Sequence, residues 1–263
     1  GDAPQGDVVN RAPVQKIQQQ SIPALKAAIE DKFYDTRAAA SIALGKAGAK
    51  DMIAAIKKTW TDEHKQVRES AGLALGLLGE KDAIADLVEV MKNSPKARKE
   101  YSKDGKDIEY RMRAFAAIGI GLIGARQDIS DTVAVKELLS QVKRDPTNED
   151  EVVGPIVALG IMKSKEAVPV LRNYVNDEEN AARLRSYAAT SLGKIGDTSV
   201  IPDLMKLLSD KHNPVVQSAA IALGILATPE RADVSTALQK LIKGNPDQVT
   251  RHYATIALGE IGG

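Results

Sequence analysis

The chain has 263 residues, of which 36 are Lys or Arg and 35 Asp or Glu, leaving a formal net charge of +1. That near balance sets up no global field for a phosphate backbone, which argues against a nucleic-acid partner unless a local patch supplies one. Cysteine is absent, so disulfides, thiolate metal sites and cysteine nucleophiles are excluded. No apolar run reaches the roughly 18 residues of a membrane span.

Residues 1–20 read as a polar N-terminal segment with Gln15, Gln18, Gln19 and Gln20. Its Val8, Val9, Val14 and Ile17 are expected to form a partial cap on an array covering residues 21–263. First helices are predicted over 22–31, 52–62, 83–93, 132–145, 167–177, 200–210 and 234–243. Apolar residues recur there at spacings of three and four, as Val168, Leu171, Tyr174 and Val175 do. Pro23, Pro169 and Pro202 are expected in first turns, where a missing amide costs nothing.

Each first helix is followed by a polar turn and a second helix carrying Ala-Leu-Gly or a close variant. The copies end at Gly45, Gly76, Gly121, Gly160, Gly193, Gly224 and Gly259. A period of 31 to 45 residues means stacked supersecondary units that share one continuous core, hence an all-α solenoid of about seven helical hairpins. Glycine inside a helix costs about 1 kcal/mol against alanine, so its recurrence implies close backbone approach to a neighbouring helix.

The pattern Asp, then Val-Arg, then Ala-Ala-x-Ala-Leu-Gly-x-Ile-Gly resembles the HEAT repeat, in particular the short bacterial type seen in phycobilisome-lyase proteins. The likeness is clearest in 62–79 (Val67-Arg68, Ala74-Leu75-Gly76, Gly79), 185–196 and 251–262, and covers roughly residues 21–263. It implies an armadillo-like array wound as a right-handed superhelix and says little about activity. Arg37, Arg68, Arg113, Arg185 and Arg251 each stand eight residues before a glycine. The resemblance implies a structural ladder in which they bridge to aspartates such as Asp31, Asp62 and Asp177. The alternative is a phosphate-binding arginine row.

Two repeats depart from the pattern. The third carries an insertion at about 94–109 whose Lys96, Arg98, Lys99, Lys103 and Lys106 form a basic segment flanked by Tyr101 and Tyr110. It is either a solvated loop or a contact for an acidic protein or nucleic-acid surface. The fourth has Val152 in place of the arginine and Gly154-Pro155 where its second helix should be running. A late start or a kink near Val153 is expected, because proline inside a helix removes a hydrogen bond.

On a helical wheel the residues nine, five, two and one before each glycine share the core face, whereas the residue three before lies well away from it. That outlying position holds Ile42, Leu73, Ile118, Val157, Thr190, Ile221 and Ile256, six aliphatics in seven. Leu77, Leu122, Val153, Ile161 and Ile225 widen the row. In HEAT-like arrays the second helices line the concave surface, so Leu73, Leu77, Ile118, Leu122, Val157, Ile161, Ile221 and Ile225 are expected to form an apolar stripe there. Either it binds a partner, or tight curvature buries it between adjacent helices.

His64, His212 and His252 have neither a second histidine nor a paired carboxylate at metal-ligand spacing, and no phosphate loop or nucleophile elbow occurs. No catalytic residue, cofactor or metal is therefore assigned. The expected function is a non-enzymatic scaffold holding a protein or peptide partner on its concave face. The alternatives are an accessory enzyme of the bilin-lyase type and a carrier of an apolar ligand. The chain starts Gly1-Asp2-Ala3-Pro4, and its last repeat stops at Ile261-Gly262-Gly263 without a polar capping helix. A fragment of a longer protein, with continuation or end-to-end contact at the C-terminus, is the expectation. The compartment is left open.

Overall fold

The structure, a computed structural model, describes residues 14–102, 104–127, 133–143 and 148–262, with side chains from residue 20 to 261. Helices and turns make up all of the described chain. In order they are α1 (Val14–Ala28), α2 (Tyr34–Ala47), α3 (Ile53–Lys58), α4 (Lys65–Leu78), α5 (Ile84–Met91), α6 (Pro95–Tyr101), α7 (Tyr110–Gln127) and α8 (Val133–Val142). There follow α9 (Asp150–Ile161), α10 (Val168–Asn176), α11 (Ala182–Ile195), α12 (Ile201–Leu207), α13 (Asn213–Leu226), α14 (Ala232–Gly244) and α15 (Gln248–Gly262).

Seven hairpins are built from these elements. The first helices α1, α3, α5, α8, α10, α12 and α14 pack on the second helices α2, α4, α7, α9, α11, α13 and α15. Several first helices are entered through a single 3-10 turn, as at Lys81–Ala83 and Lys165–Ala167, whose last alanine is fully buried. At the far end, Gly79 (φ 82°) and Gly196 (φ 85°) close α4 and α11 in the left-handed conformation that other residues avoid.

The second helices form an unbroken file, each touching the next along its length, whereas consecutive first helices meet far less. The glycines explain the intimacy. A Cβ on Gly45 would sit 2.3 Å from the Ala74 carbonyl oxygen, and one on Gly76 would sit 2.5 Å from the Cα of Gly119. Gly121 meets Ala158, Gly160 meets Ser191, Gly193 meets Ala222 and Gly224 meets Ala257 in the same way. The rule is one of register: the glycine of each unit lies against the small residue two places before the glycine of the next. Layers held closer on one side curve toward that side, which puts the second helices on the inner surface of the stack.

Four expectations are corrected by the fold. Helix α1 starts at Val14, so the boundary between 1–20 and 21–263 falls inside a helix, and Pro23 is an interior residue of α1. Pro169 and Pro202 do lie in first turns. The proposed cap residues Val8, Val9, Val14 and Ile17 lie outside the residues whose side chains are described.

Helix α9 does not wait for the proline to start; it runs over Asp150–Ile161 with Pro155 inside. Its neighbours hold it there. Gly154 lies against the Ala114 backbone, where a Cβ would come within 2.6 Å, and both Val152 and Ile156 are buried.

The insertion is part of the core. Ser94 caps α6, its Oγ accepting from the Ala97 amide at 3.1 Å, with proline following in the first turn. Ala97, Tyr101 and Ile108 are buried, and the Tyr101 ring lies 4.8 Å from that of the fully buried Trp60. Burial also drives the Tyr101 hydroxyl pKa upward. Tyr101 is thus a core residue and no surface anchor; Tyr110 remains partly exposed.

Candidate docking groove on the second helices

The row three before each glycine stays partly accessible on the second helices. Ile42, Leu73, Ile118, Val157 and Ile221 are half-buried, as are Leu77, Leu122 and Ile161 one place after their glycines. Ile225 is 52% exposed and Ile256 44%. Of the residues assigned to this stripe and its widening, Val153 alone is buried, at 8% exposure. The neighbouring helices cover these side chains only in part, and Ile42 and Val157 pack against the core with their buried portion.

Helix α11 interrupts the row. It carries Thr190 where the other second helices carry an aliphatic, and Lys194 where α4, α7, α9 and α13 carry Leu77, Leu122, Ile161 and Ile225. The Thr190 hydroxyl donates to the Ser186 carbonyl at 3.1 Å, and Lys194 is exposed. Around them lies a hollow of about 530 Å³ lined by Val157, Arg183, Tyr187, Thr190, Lys194 and Pro214 among others.

A further pattern escaped the sequence reading. The residue six before the glycine is aromatic in the third, fifth and seventh units: Phe115, Tyr187 and Tyr253. Arg111 stands over the Phe115 ring at 5.7 Å and Arg183 over the Tyr187 ring at 6.0 Å, each one helical turn earlier. Alternation with small residues at the same place (Ser70, Gly154, Ser218) was the available signal.

The arginines eight before the glycines point the other way, into the joints between units. Arg37 donates from Nε and Nη2 to both carboxylate oxygens of Asp62 at 2.7 and 2.8 Å, and from Nη1 to the Asp31 and Lys32 carbonyls. Arg68 holds the Asp62 and Glu63 carbonyls and the Glu109 carboxylate, the last at 2.5 Å. Arg113 joins the Met91 carbonyl to Glu151 at 2.9 Å, and Arg185 pairs with Asp210 at 2.5 Å. Arg251 takes the Asn245 and Pro246 carbonyls. A fork that grips its own unit's carbonyls and the next unit's carboxylate fixes the rotation between the two.

Two of the expected aspartates do not take part through their side chains. Asp31 offers Arg37 only its carbonyl, and its carboxylate accepts from the Phe33 amide at 2.8 Å. Asp177 accepts from the Glu179 amide instead. The reason lies one unit below. The donor to Asp177 would come from the fourth repeat, where Val152 has replaced the arginine.

Burial pushes the carboxyls of Asp62 and Asp210 up, yet both titrate below the usual carboxylate range. For Asp62 the Arg37 guanidinium and the His64 amide outweigh burial, and for Asp210 the His212 amide and Arg185 do. On the outer surface a second set of ties links successive first helices: Lys26 with Asp51, Lys57 with Asp86, Lys92 with Glu137 at 2.9 Å, and Arg172 with Asp203 at 2.7 Å.

In the insertion, Lys96 lies 3.7 Å from Asp86, Arg98 3.6 Å from Asp107, and Lys106 3.3 Å from Asp104. Lys99 is exposed, and Lys103 lies outside the described residues. Among the described residues no group of three or more His, Asp or Glu side chains is placed to hold a metal ion. Nor is any of their helices long and apolar enough to cross a membrane.

The family model for HEAT repeats matches residues 22–101, 135–224 and 178–259. No curated protein sequence matches the chain. Among solved structures, the complex of CpcE and CpcF of phycocyanin lyase from Nostoc sp. PCC7120 is similar over 99% of this chain and 100% of that one, with a TM-score of 0.55 and 16% identity. The YibA protein of Escherichia coli is similar over 100% of this chain and 99% of that one, with a TM-score of 0.53 and 13% identity. At such identities the likeness is one of fold alone. Since the repeat model spans most of the sequence, and the hairpins stack in the order that it requires, the chain belongs to the HEAT-repeat family.

Proposed function

We propose that the chain is a non-enzymatic scaffold that holds a polypeptide partner along the inner surface of its second helices. One observation carries the reading: an aliphatic side chain in the same register of six units, which the described helices leave half-buried or exposed. Fully burying an exposed aliphatic side chain is worth about 1.5–3 kcal/mol, and covering what a half-buried one still exposes is worth a fraction of that. Exposed apolar patches mark interaction sites, and this row offers two aliphatic stretches, one on either side of α11.

The test pairs capture with stability. The triple variant Leu73→Ser, Ile118→Ser, Leu122→Ser should keep a cooperative melt and lose the polypeptide that the unaltered protein retains from its native source, identified by mass spectrometry. Collapse of the melt would make the row part of the core and end the proposal. Retention of a pigment absorbing in the visible, without a polypeptide, would replace the scaffold with a bilin-lyase-like accessory enzyme. A retained colourless apolar molecule would make the chain a carrier.

A further inference from the structure

The break in the apolar row at α11 has a physical consequence for whatever lies on it. An occupant that follows the row past α9, α11 and α13 meets Ile161, then Lys194, then Ile225, all one place after their glycines. No ion pair is recorded for Lys194 among the described residues, and the hollow that it borders is lined by two cations and no carboxylate. The other cation, Arg183, is occupied by Asp150, with Glu149 a further 3.7 Å neighbour of its Nη1. Covering the Lys194 ammonium with apolar groups would strip its water and return nothing, a penalty that only an opposite charge offsets.

Building on the groove reading above, we propose that Lys194 is a carboxylate-recognition point within it. The occupant is an extended peptide segment with an acidic residue flanked by apolar residues three places to either side. Packed helices lie about 8–10 Å apart. A polyproline-II segment rises about 3.1 Å per residue with three residues per turn, so its positions i, i+3 and i+6 share one face at about 9 Å intervals. That interval sets an apolar residue on Ile161, the acid on Lys194 and a second apolar residue on Ile225. A segment with lysine at the centre is rejected by like charge, so the site discriminates as well as binds.

The test uses three labelled peptides, Leu-Pro-Ala-X-Pro-Ala-Leu with X as Glu, Gln or Lys, titrated by fluorescence anisotropy. On the unaltered protein the Glu peptide should bind about tenfold more tightly than the Gln peptide, and the Lys peptide least. Lys194→Glu should reverse the order, and Lys194→Met should level Glu with Gln. Ile225→Ser should weaken all three peptides alike. Equal binding of the three peptides, with Ile225→Ser still effective, overturns the Lys194 proposal and leaves the groove standing. A charge order that follows Lys194 but ignores Ile225→Ser overturns the groove instead. No saturable binding of the Glu peptide up to about 1 mM overturns both.

Discussion

The joint between α7 and α9 and the joint between α9 and α11 perform the same task with opposite wiring. In the first, the lower helix supplies the guanidinium: Arg113 reaches up to Glu151. In the second, the lower helix has Val152 at that place, and the guanidinium comes down from above, Arg183 to Asp150. Both joints keep the same backbone contact, Gly121 on Ala158 and Gly160 on Ser191. The joint between α13 and α15 varies again, with Gln217 donating to Asp247 and Thr250 at 3.2 Å. What recurs without exception is the glycine against a small residue. The contact sets the spacing, and the polar tie is a replaceable clamp on it.

Depth of burial separates the two wirings most sharply. Arg113 and Glu151 are both nearly inaccessible, whereas Arg183 is about half-exposed. Arg113→Ala takes a buried guanidinium away from the buried Glu151 carboxylate and should cost about 3–5 kcal/mol in urea unfolding. Arg183→Ala removes a surface pair and should cost no more than about 1 kcal/mol. Equal losses would mean that exposure does not decide the strength of these clamps.

Substituting the glycines probes the other half of the comparison. Gly76→Ala drives a methyl into the Gly119 backbone and should destabilise by about 1–3 kcal/mol despite the better helix propensity of alanine. Gly259→Ala meets nothing within 4 Å and should be neutral or stabilising by up to about 1 kcal/mol. A neutral Gly76→Ala would show that the second helices can part without loss, contrary to the spacing argument.

The smallest effect concerns pH. The Asp62 carboxyl titrates below its unfolded value of 3.8. Its contribution is therefore complete above that value and is lost as pH falls through the depressed folded-state pKa. The melting temperature of Asp62→Asn should lie below that of the unaltered protein at pH 7, and the gap should shrink below about pH 3. A gap that stays constant down to pH 2 would show that the pair acts by shape alone.

The hairpins and their number were legible because glycine marks each second helix at a spot where only a missing side chain lets two backbones meet. The partial exposure of the residues three before each glycine was legible because those positions fall off the core face of an ideal wheel. The acceptors of the arginine clamps were not. Asp62, Glu109, Glu151 and Asp210 stand 14, 12, 9 and 14 residues before their own unit's glycine, so no fixed offset finds them. Turn length, which shifts with every connection, decides which carboxylate comes within reach. The short helix α6 did leave a trace: Ser94-Pro95 is a helix start, and Ala97 and Tyr101 are one turn apart. Its charge obscured the signal. At Pro155 local propensity favoured a late helix start, and packing of Gly154 against Ala114 on the adjacent helix overrode it.

The register of glycine on small residue is the same at every joint, so the backbone contact made by one unit can be met by any other. Excising the fifth hairpin whole would bring Gly160 opposite Ala222, a pairing of the kind already used between Gly121 and Ala158. Array length is then a free variable for recombination: duplication or loss of a unit leaves a lawful seam behind, and the reach of the inner surface can change without any side chain being redesigned.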